Sequence, residues 1–197
     1  FIGILMGIWM ATSKRLAVKN TLLGIATLGV SIPGFVTAIL LMMIFGVWWP
    51  VLPIVGLGSP ANYILPVAAQ SFGQIASIAR LTKSTYSEAI QMDYVTMARA
   101  KGLSNLYITV RHVLKNALIP VVTYFGPAIA FLITGSFVVE SIFSIPGIGR
   151  EFTNAITNRD YTVVLGFSVF IGVIITVANL AVDIICSLID PRIKLTN

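Results

Sequence analysis

Long stretches without a charged side chain alternate along this chain with short polar ones. From Asn20 through Ala79 no Asp, Glu, Lys or Arg occurs, a run of 60 residues. Asn116–Val139 is a second run, of 24 residues, and Tyr161–Val182 a third, of 22. A bilayer span takes about 20 apolar residues, so each shorter run predicts one helix and the long run predicts two. The break in the long run falls at Trp48-Trp49-Pro50-Val51-Leu52-Pro53 and Gly56-Leu57-Gly58-Ser59-Pro60. Paired tryptophans suit an interfacial aromatic belt, and prolines with glycines suit a turn outside the hydrocarbon. Phe1–Ser13 is also free of charge but too short to cross alone, and reads as the tail of a helix that starts before this sequence. The expected spans are therefore 1–13 in part, 20–48, 62–85, 116–139 and 161–189. Asp190-Pro191 stops the last one, because proline cannot continue a helix. Pro33, Pro66 and Pro127 lie inside these spans. Such breaks are tolerated where neighbouring helices or a cavity satisfy the backbone, which favours a packed bundle. The fold class is thus all-α, a polytopic membrane bundle of about five transmembrane helices. It forms one domain over 1–197, with a polar loop at 86–115 and a second loop at 140–160.

Composition removes the alternatives. The chain holds 13 Lys+Arg and 7 Asp+Glu in 197 residues, so 10% is charged, against 57% hydrophobic. A soluble domain is about 25% charged, and disorder needs low hydrophobicity, so both are excluded. The net charge of +6 fits the excess of Lys and Arg in cytoplasmic loops of membrane proteins. Nucleic acid is not expected as a partner, since no basic stripe with interleaved aromatics occurs. Placing 14–19, 80–115 and the C-terminus on one side puts eleven Lys/Arg there, against Arg150 and Arg159 on the other. That imbalance makes the first side cytoplasmic, with the C-terminus inside. A single cysteine, Cys186, excludes an internal disulfide, and a single histidine, His112, leaves no histidine-based metal site or triad. No catalytic and no metal-binding residue is assigned. A membrane-embedded enzyme would need a dyad or ligands within the spans, and is the remote alternative.

Eight of the 20 charges fall between Arg80 and Lys115. Ile90, Tyr94, Met97 and Ala98 sit at i, i+4, i+7 and i+8, one apolar stripe on a short helix. Gly102 supplies a stop after Arg99 and Lys101, which suit the negative helix end. Ser104 can cap a second helix, on which Leu106, Val110, Val113 and Leu114 repeat the spacing. A helix, a glycine turn and a helix would then project between two spans. The other reading is an amphipathic loop lying on the membrane surface; the small residues Ala98 and Ala100 beside Gly102 favour a protein partner.

Tyr94-Val95-Thr96-Met97-Ala98-Arg99-Ala100-Lys101-Gly102-Leu103, with Arg111-His112 and Ala117-Leu118-Ile119-Pro120 after it, resembles the coupling loop of ABC importer permeases. Its nearest likeness is to the oligopeptide/dipeptide/nickel branch. Against the general family loop of Glu-Ala-Ala, three residues, Gly, nine residues and Ile-x-Leu-Pro, Ala98, Gly102 and Leu114 match. Arg-Ala-Lys-Gly-Leu and the later Arg-His-x-Leu-Lys follow the peptide branch. The resemblance extends through Ser31-Ile32-Pro33-Gly34-Phe35, Ile78-Ala79-Arg80-Leu81-Thr82, and Gly135-Ser136-Phe137-Val138-Val139-Glu140. It continues through Pro146-Gly147-Ile148-Gly149 and Asn158-Arg159-Asp160-Tyr161 to Asp190-Pro191-Arg192.

What the resemblance implies is a MetI-like permease bundle, multi-pass in a bacterial or archaeal cytoplasmic (inner) membrane. It would form the pathway for peptides, or, alternatively, for nickel, a metallophore or a glutathione-type substrate. Its implied partners are a homologous second permease subunit, two cytoplasmic ATPase subunits and an extracytoplasmic binding protein, besides membrane lipid. The chain itself would be non-catalytic and carry no cofactor, with ATP and Mg on the ATPases. Ala98, Arg99, Ala100, Lys101, Gly102 and Leu103 would dock on an ATPase. Arg99 and Lys101 would add charge complementarity, or be ordinary positive-inside charge. Glu140, Pro146, Gly147 and Gly149 would form part of an outer gate under the binding protein, or a plain connector. Pro33, Thr37, Gln70, Ser71, Thr134 and Ser136 would face a polar pathway, or serve helix packing. Asp183, seven residues before Asp190, would pair near the interface rather than contact substrate.

Overall fold

A computed structural model describes residues 1–134 and 136–189. Among these residues the secondary structure is helical and contains no strand, in agreement with the all-α class. Asp190-Pro191, Arg192 and Lys194 lie outside the described residues. The described residues form two compact units, one within 1–29, 75–126 and 179–189, the other within 30–74 and 127–178.

In the first unit α1 (Ile2–Thr12) packs on α4 (Ile64–Ala89). The contact needs glycine. A Cβ on Gly3 would lie 2.7 Å from the Ile75 carbonyl oxygen, and one on Gly7 would lie 2.6 Å from that of Ala79. Small residues four apart let two membrane helices approach this closely. α2 (Leu16–Ser31) joins them through Ala26, buried with Met10 and Ala79 against Met6, Leu22 and Leu23. The unit also holds α5 (Asp93–Ala100), α6 (Asn105–Ile108) and α7 (Leu114–Ala117).

In the second unit the stretch expected as one helix over 20–48 is broken. α2 ends at Ser31, and α3 runs Gly34–Met42 and widens into a π-type turn at Met43–Trp48. Pro33 causes the break: it has no N–H to continue the ladder and disfavours helical backbone at Ile32 before it. Its own ψ of 141° is extended, and its carbonyl accepts the N–H groups of Val36 and Thr37 at 2.9 and 3.2 Å, starting the new helix. The turn after Trp48-Trp49 lies where the sequence puts it, and both tryptophans are exposed. Ser59 and Asn62 close it: the Ser59 N–H donates to Asn62 Oδ1 at 3.1 Å, and Asn62 Nδ2 to the Val55 carbonyl at 2.8 Å.

α8 (Ile119–Thr134) carries Pro127, and α9 is Phe137–Ile142. The segment expected as a loop over 140–160 is largely helical: Glu140 lies inside α9, and α10 spans Ile148–Thr157. α11 (Tyr161–Ile189) starts where Asp160 Oδ1 accepts the Val163 N–H at 3.1 Å. Among the described residues, and leaving Gly135 aside, Ile119–Ile142 and Tyr161–Leu188 are long and apolar enough to cross a membrane, with a third if the bent pair over Leu16–Trp48 counts as one span. α1 has 11 residues and α4, though 26 residues long, carries Arg80, Lys83 and Glu88 in its second half; both fall outside that count. Along α11 the apolar side chains of Leu165, Val169, Val177 and Leu188 are exposed, a surface suited to lipid or another helix rather than water.

Candidate functional site

The polar segment after α4 folds as two short helices about a glycine turn. α5 opens on Asp93, an acid in the first turn where the helix dipole favours it. It ends at Ala100 with Lys101 as its C-cap, and Gly102 takes φ +77°. That left-handed conformation is costly for other residues. The turn is closed by the Gly102 N–H on the Arg99 carbonyl at 2.9 Å and the Leu103 N–H on the Ala98 carbonyl at 3.3 Å. A Cβ on Gly102 would meet nothing within 4 Å. Within the chain, then, only the backbone angle requires glycine here, and the face above it is open.

Ser104 caps the second helix, its Oγ accepting the Tyr107 N–H at 3.3 Å. α6 runs through a π-type turn at Thr109–Val113 into α7. Tyr86, Ala89, Val95, Ala98, Ile108, Val113 and Ala117 form the buried cluster that fixes this pair of helices to the end of α4. Tyr86 Oη lies 3.5 Å from Thr109 Oγ1, a polar tie between the two elements. The expected stripes are thus partly displaced. Val95, not Met97, faces inward, because the turn at Gln91-Met92 interrupts the phase carried from Ile90. Leu106 and Val110 are exposed while Ile108 is buried, because the π-type turn adds a residue to the helical repeat.

Of the six residues expected to dock, Ala98 is buried, while Arg99, Ala100, Lys101, Gly102 and Leu103 form one continuous exposed run. Three of their neighbours, Met97, Leu106 and Val110, belong to the apolar stripes expected from the spacing. Met97, Leu106, Tyr107 and Val110 are all at least half exposed on the same two helices, and Tyr107 stacks edge-on against His112 at 5.8 Å. The exposed surface is therefore mixed, with apolar side chains beside the cations Arg99, Lys101 and Arg111.

In the second unit, Gln70, Ser71 and Ser136 line a cavity of about 410 Å3, together with Glu140 and apolar residues that include Pro66 and Val139. Pro33 and Thr37 are not among its lining residues; Pro33 is the break before α3, and the Thr37 N–H bonds to its carbonyl. The Thr134 side chain lies outside the described residues. Glu140 is 9% exposed, and its Oε2 accepts the Arg150 N–H at 2.7 Å. Gly147 precedes α10, and a Cβ there would overlap the Glu140 carboxyl group. Gly149 faces the same carboxylate, with a Cβ position 3.2 Å from Oε2. Three of the four outer residues named from sequence are thus in one contact; Pro146 lies in the turn before them. Among the described residues no group of three His, Cys, Asp or Glu is placed to hold a metal ion.

The family described as "Binding-protein-dependent transport system inner membrane component" matches residues 3–195. The dipeptide transport system permease protein DppB of Bacillus subtilis is 43% identical over 193 residues, 98% of this chain and 63% of its own length. The oligopeptide transport system permease protein OppB of Escherichia coli is 42% identical over 195 residues, 98% of this chain and 64% of its own. The chain thus spans less than two thirds of the length of these relatives. A solved structure titled "Crystal structure of an amino acid ABC transporter with histidines" superposes with a TM-score of 0.64 at 19% identity, covering 98% of this chain and 86% of that one, and shows the shared fold. This chain belongs to the family of binding-protein-dependent transport system inner membrane components.

Proposed function

We propose that the chain is part of the transmembrane subunit of an ATP-binding-cassette importer for peptides. An extracytoplasmic binding protein delivers the substrate, a second permease subunit completes the pathway, and two cytoplasmic ATPases hydrolyse ATP with Mg. The permease contributes no catalytic group. The observation that carries the reading is the glycine turn: an open, positive-φ Gly102 between two short helices that share one buried cluster with the end of α4. A push on the turn moves α4 with it, because Val95, Ala98 and Tyr86 are packed as one body. Closure of the ATPases on ATP would thereby bias a two-state membrane element. The peptide substrate is supported by the relatives named as dipeptide and oligopeptide permeases. The cavity with Gln70, Ser71 and Ser136 is the candidate pathway surface, and the 86–115 segment faces the cytoplasm.

Affinity purification followed by uptake into reconstituted vesicles tests this. Two ATP-hydrolysing subunits and a second permease are expected with the chain, and labelled dipeptide or oligopeptide should accumulate only with ATP and binding protein. Accumulation of nickel in place of peptide would move the substrate to the other branch. Solute conduction by the chain alone, without ATP, would end the importer reading.

A further inference from the structure

Among the described residues Glu140 is the buried acid, and its surroundings are specific. Its carboxylate accepts the Arg150 N–H in the first turn of α10 at 2.7 Å, ten residues downstream. α10 has no cap from its own N-cap residue, Gly147. The first N–H groups of a helix need an outside acceptor, and negative charge is favoured there. Glu140 supplies both. The room for it comes from the two glycines: a side chain at Gly147 would occupy the carboxylate's place, and one at Gly149 would press on Oε2 and on the Phe137 backbone nitrogen, 2.8 Å away. The intervening turn is tied at the same residue, the Ile145 N–H bonding to the Glu140 carbonyl at 2.8 Å, and it passes through Ser144 at φ +53°. On its other side α9 is anchored by Val139 and Phe143, 3% and 1% exposed, in the cluster with Ala38, Leu65 and Ala69. Glu140 also lines the cavity that holds Gln70, Ser71 and Ser136.

Resting on the importer reading, we propose that Glu140 is a positioning residue of the transport cycle. Through the Arg150 amide it fixes the start of α10 to the helix that walls the cavity, so that the outer segment 143–157 and the cavity move together. Gly147 and Gly149 serve this contact by leaving space for the carboxylate, not by conformational freedom, since neither has positive φ.

The test uses the whole complex with its binding protein in vesicles, comparing Glu140→Ala, Glu140→Gln and Gly147→Ala with the wild type. Hydrogen exchange over 147–157 reads the anchor without reference to transport. Uptake and binding-protein stimulation of ATP hydrolysis read its use. Glu140→Ala and Gly147→Ala should speed exchange in that segment at least tenfold and lower uptake at least tenfold, in complexes that still assemble. Glu140→Gln keeps a carbonyl acceptor for the Arg150 amide and should recover at least a third of the uptake. Unchanged exchange in Glu140→Ala would overturn the anchor, and faster exchange with normal uptake would overturn its role in transport. A wild-type complex that takes up no peptide would instead count against the importer reading, and the exchange data would still distinguish the two.

Discussion

Gly102 and Gly7 are both glycines that a substitution would disturb, but for opposite reasons. Gly102 sits in open space at φ +77°, so Gly102→Ala costs about 1 kcal/mol of backbone strain. Gly102→Asn costs less, because asparagine tolerates that conformation. Gly7 has ordinary backbone but no room, its Cβ position lying 2.6 Å from both the Ala79 oxygen and Thr82 Cβ. Gly7→Val should therefore lower stability by about 1–3 kcal/mol through overpacking. Thr82, packed against it, is fully buried and its hydroxyl has no hydrogen-bond partner. Replacing it by the isosteric Thr82→Val should be neutral or slightly stabilising, because an unsatisfied hydroxyl leaves the interior. Thermal unfolding of the purified complex reads all of these, and a Tm drop in Thr82→Val with none in Gly7→Val would contradict the packing described. The role of Gly102 was legible in the sequence, because a glycine after Arg99-Ala100-Lys101 is a helix stop. That of Gly7 was not, since its partner α4 is about 70 residues away and no local pattern points to it.

Among the elements, the two helices about the glycine turn separate stability from surface. Ser104→Ala removes the cap on the Tyr107 amide and should cost about 1 kcal/mol, seen as faster hydrogen exchange over 105–108. Leu106 is 75% exposed, so Leu106→Ala should change stability by less than about 0.5 kcal/mol yet weaken capture of the ATPase. Stability lost with capture intact would place Leu106 in the core instead. The longest charge-free run made the Trp48-Trp49 turn legible, and the other runs pointed to apolar helices, because apolar length is a property of the sequence alone. They did not reveal that Pro33 ends one helix and starts another, since a proline in a membrane helix is as compatible with a mild kink as with a break. Nor did they show α9 and α10 within 140–160: the cap of α10 comes from Glu140, outside the helix, so its start carried no N-cap residue to read.

At the scale of the whole molecule, the eleven-to-two distribution of Lys and Arg predicts which surfaces face which compartment. With Cys186 replaced by alanine, Arg99→Cys should react with a membrane-impermeant thiol reagent only from the cytoplasmic side. Arg159→Cys should react only from the other side. Labelling of both from one side would refute the topology. The general architecture and the family were legible because spans and loop motif are local, whereas the cavity with Gln70, Ser71, Ser136 and Glu140 joins α4 to α8 and α9, which only the folded chain brings together. The central claim is that the turn at Gly102 is where ATP hydrolysis is coupled to the membrane helices. ATP-dependent peptide uptake by vesicles containing the wild-type complex or Gly102→Glu, with the permease content of the membranes matched, tests it most directly. The account predicts at least a tenfold loss of uptake, with the ATPases no longer retained by the variant; uptake and ATPase retention equal to the wild type would contradict it.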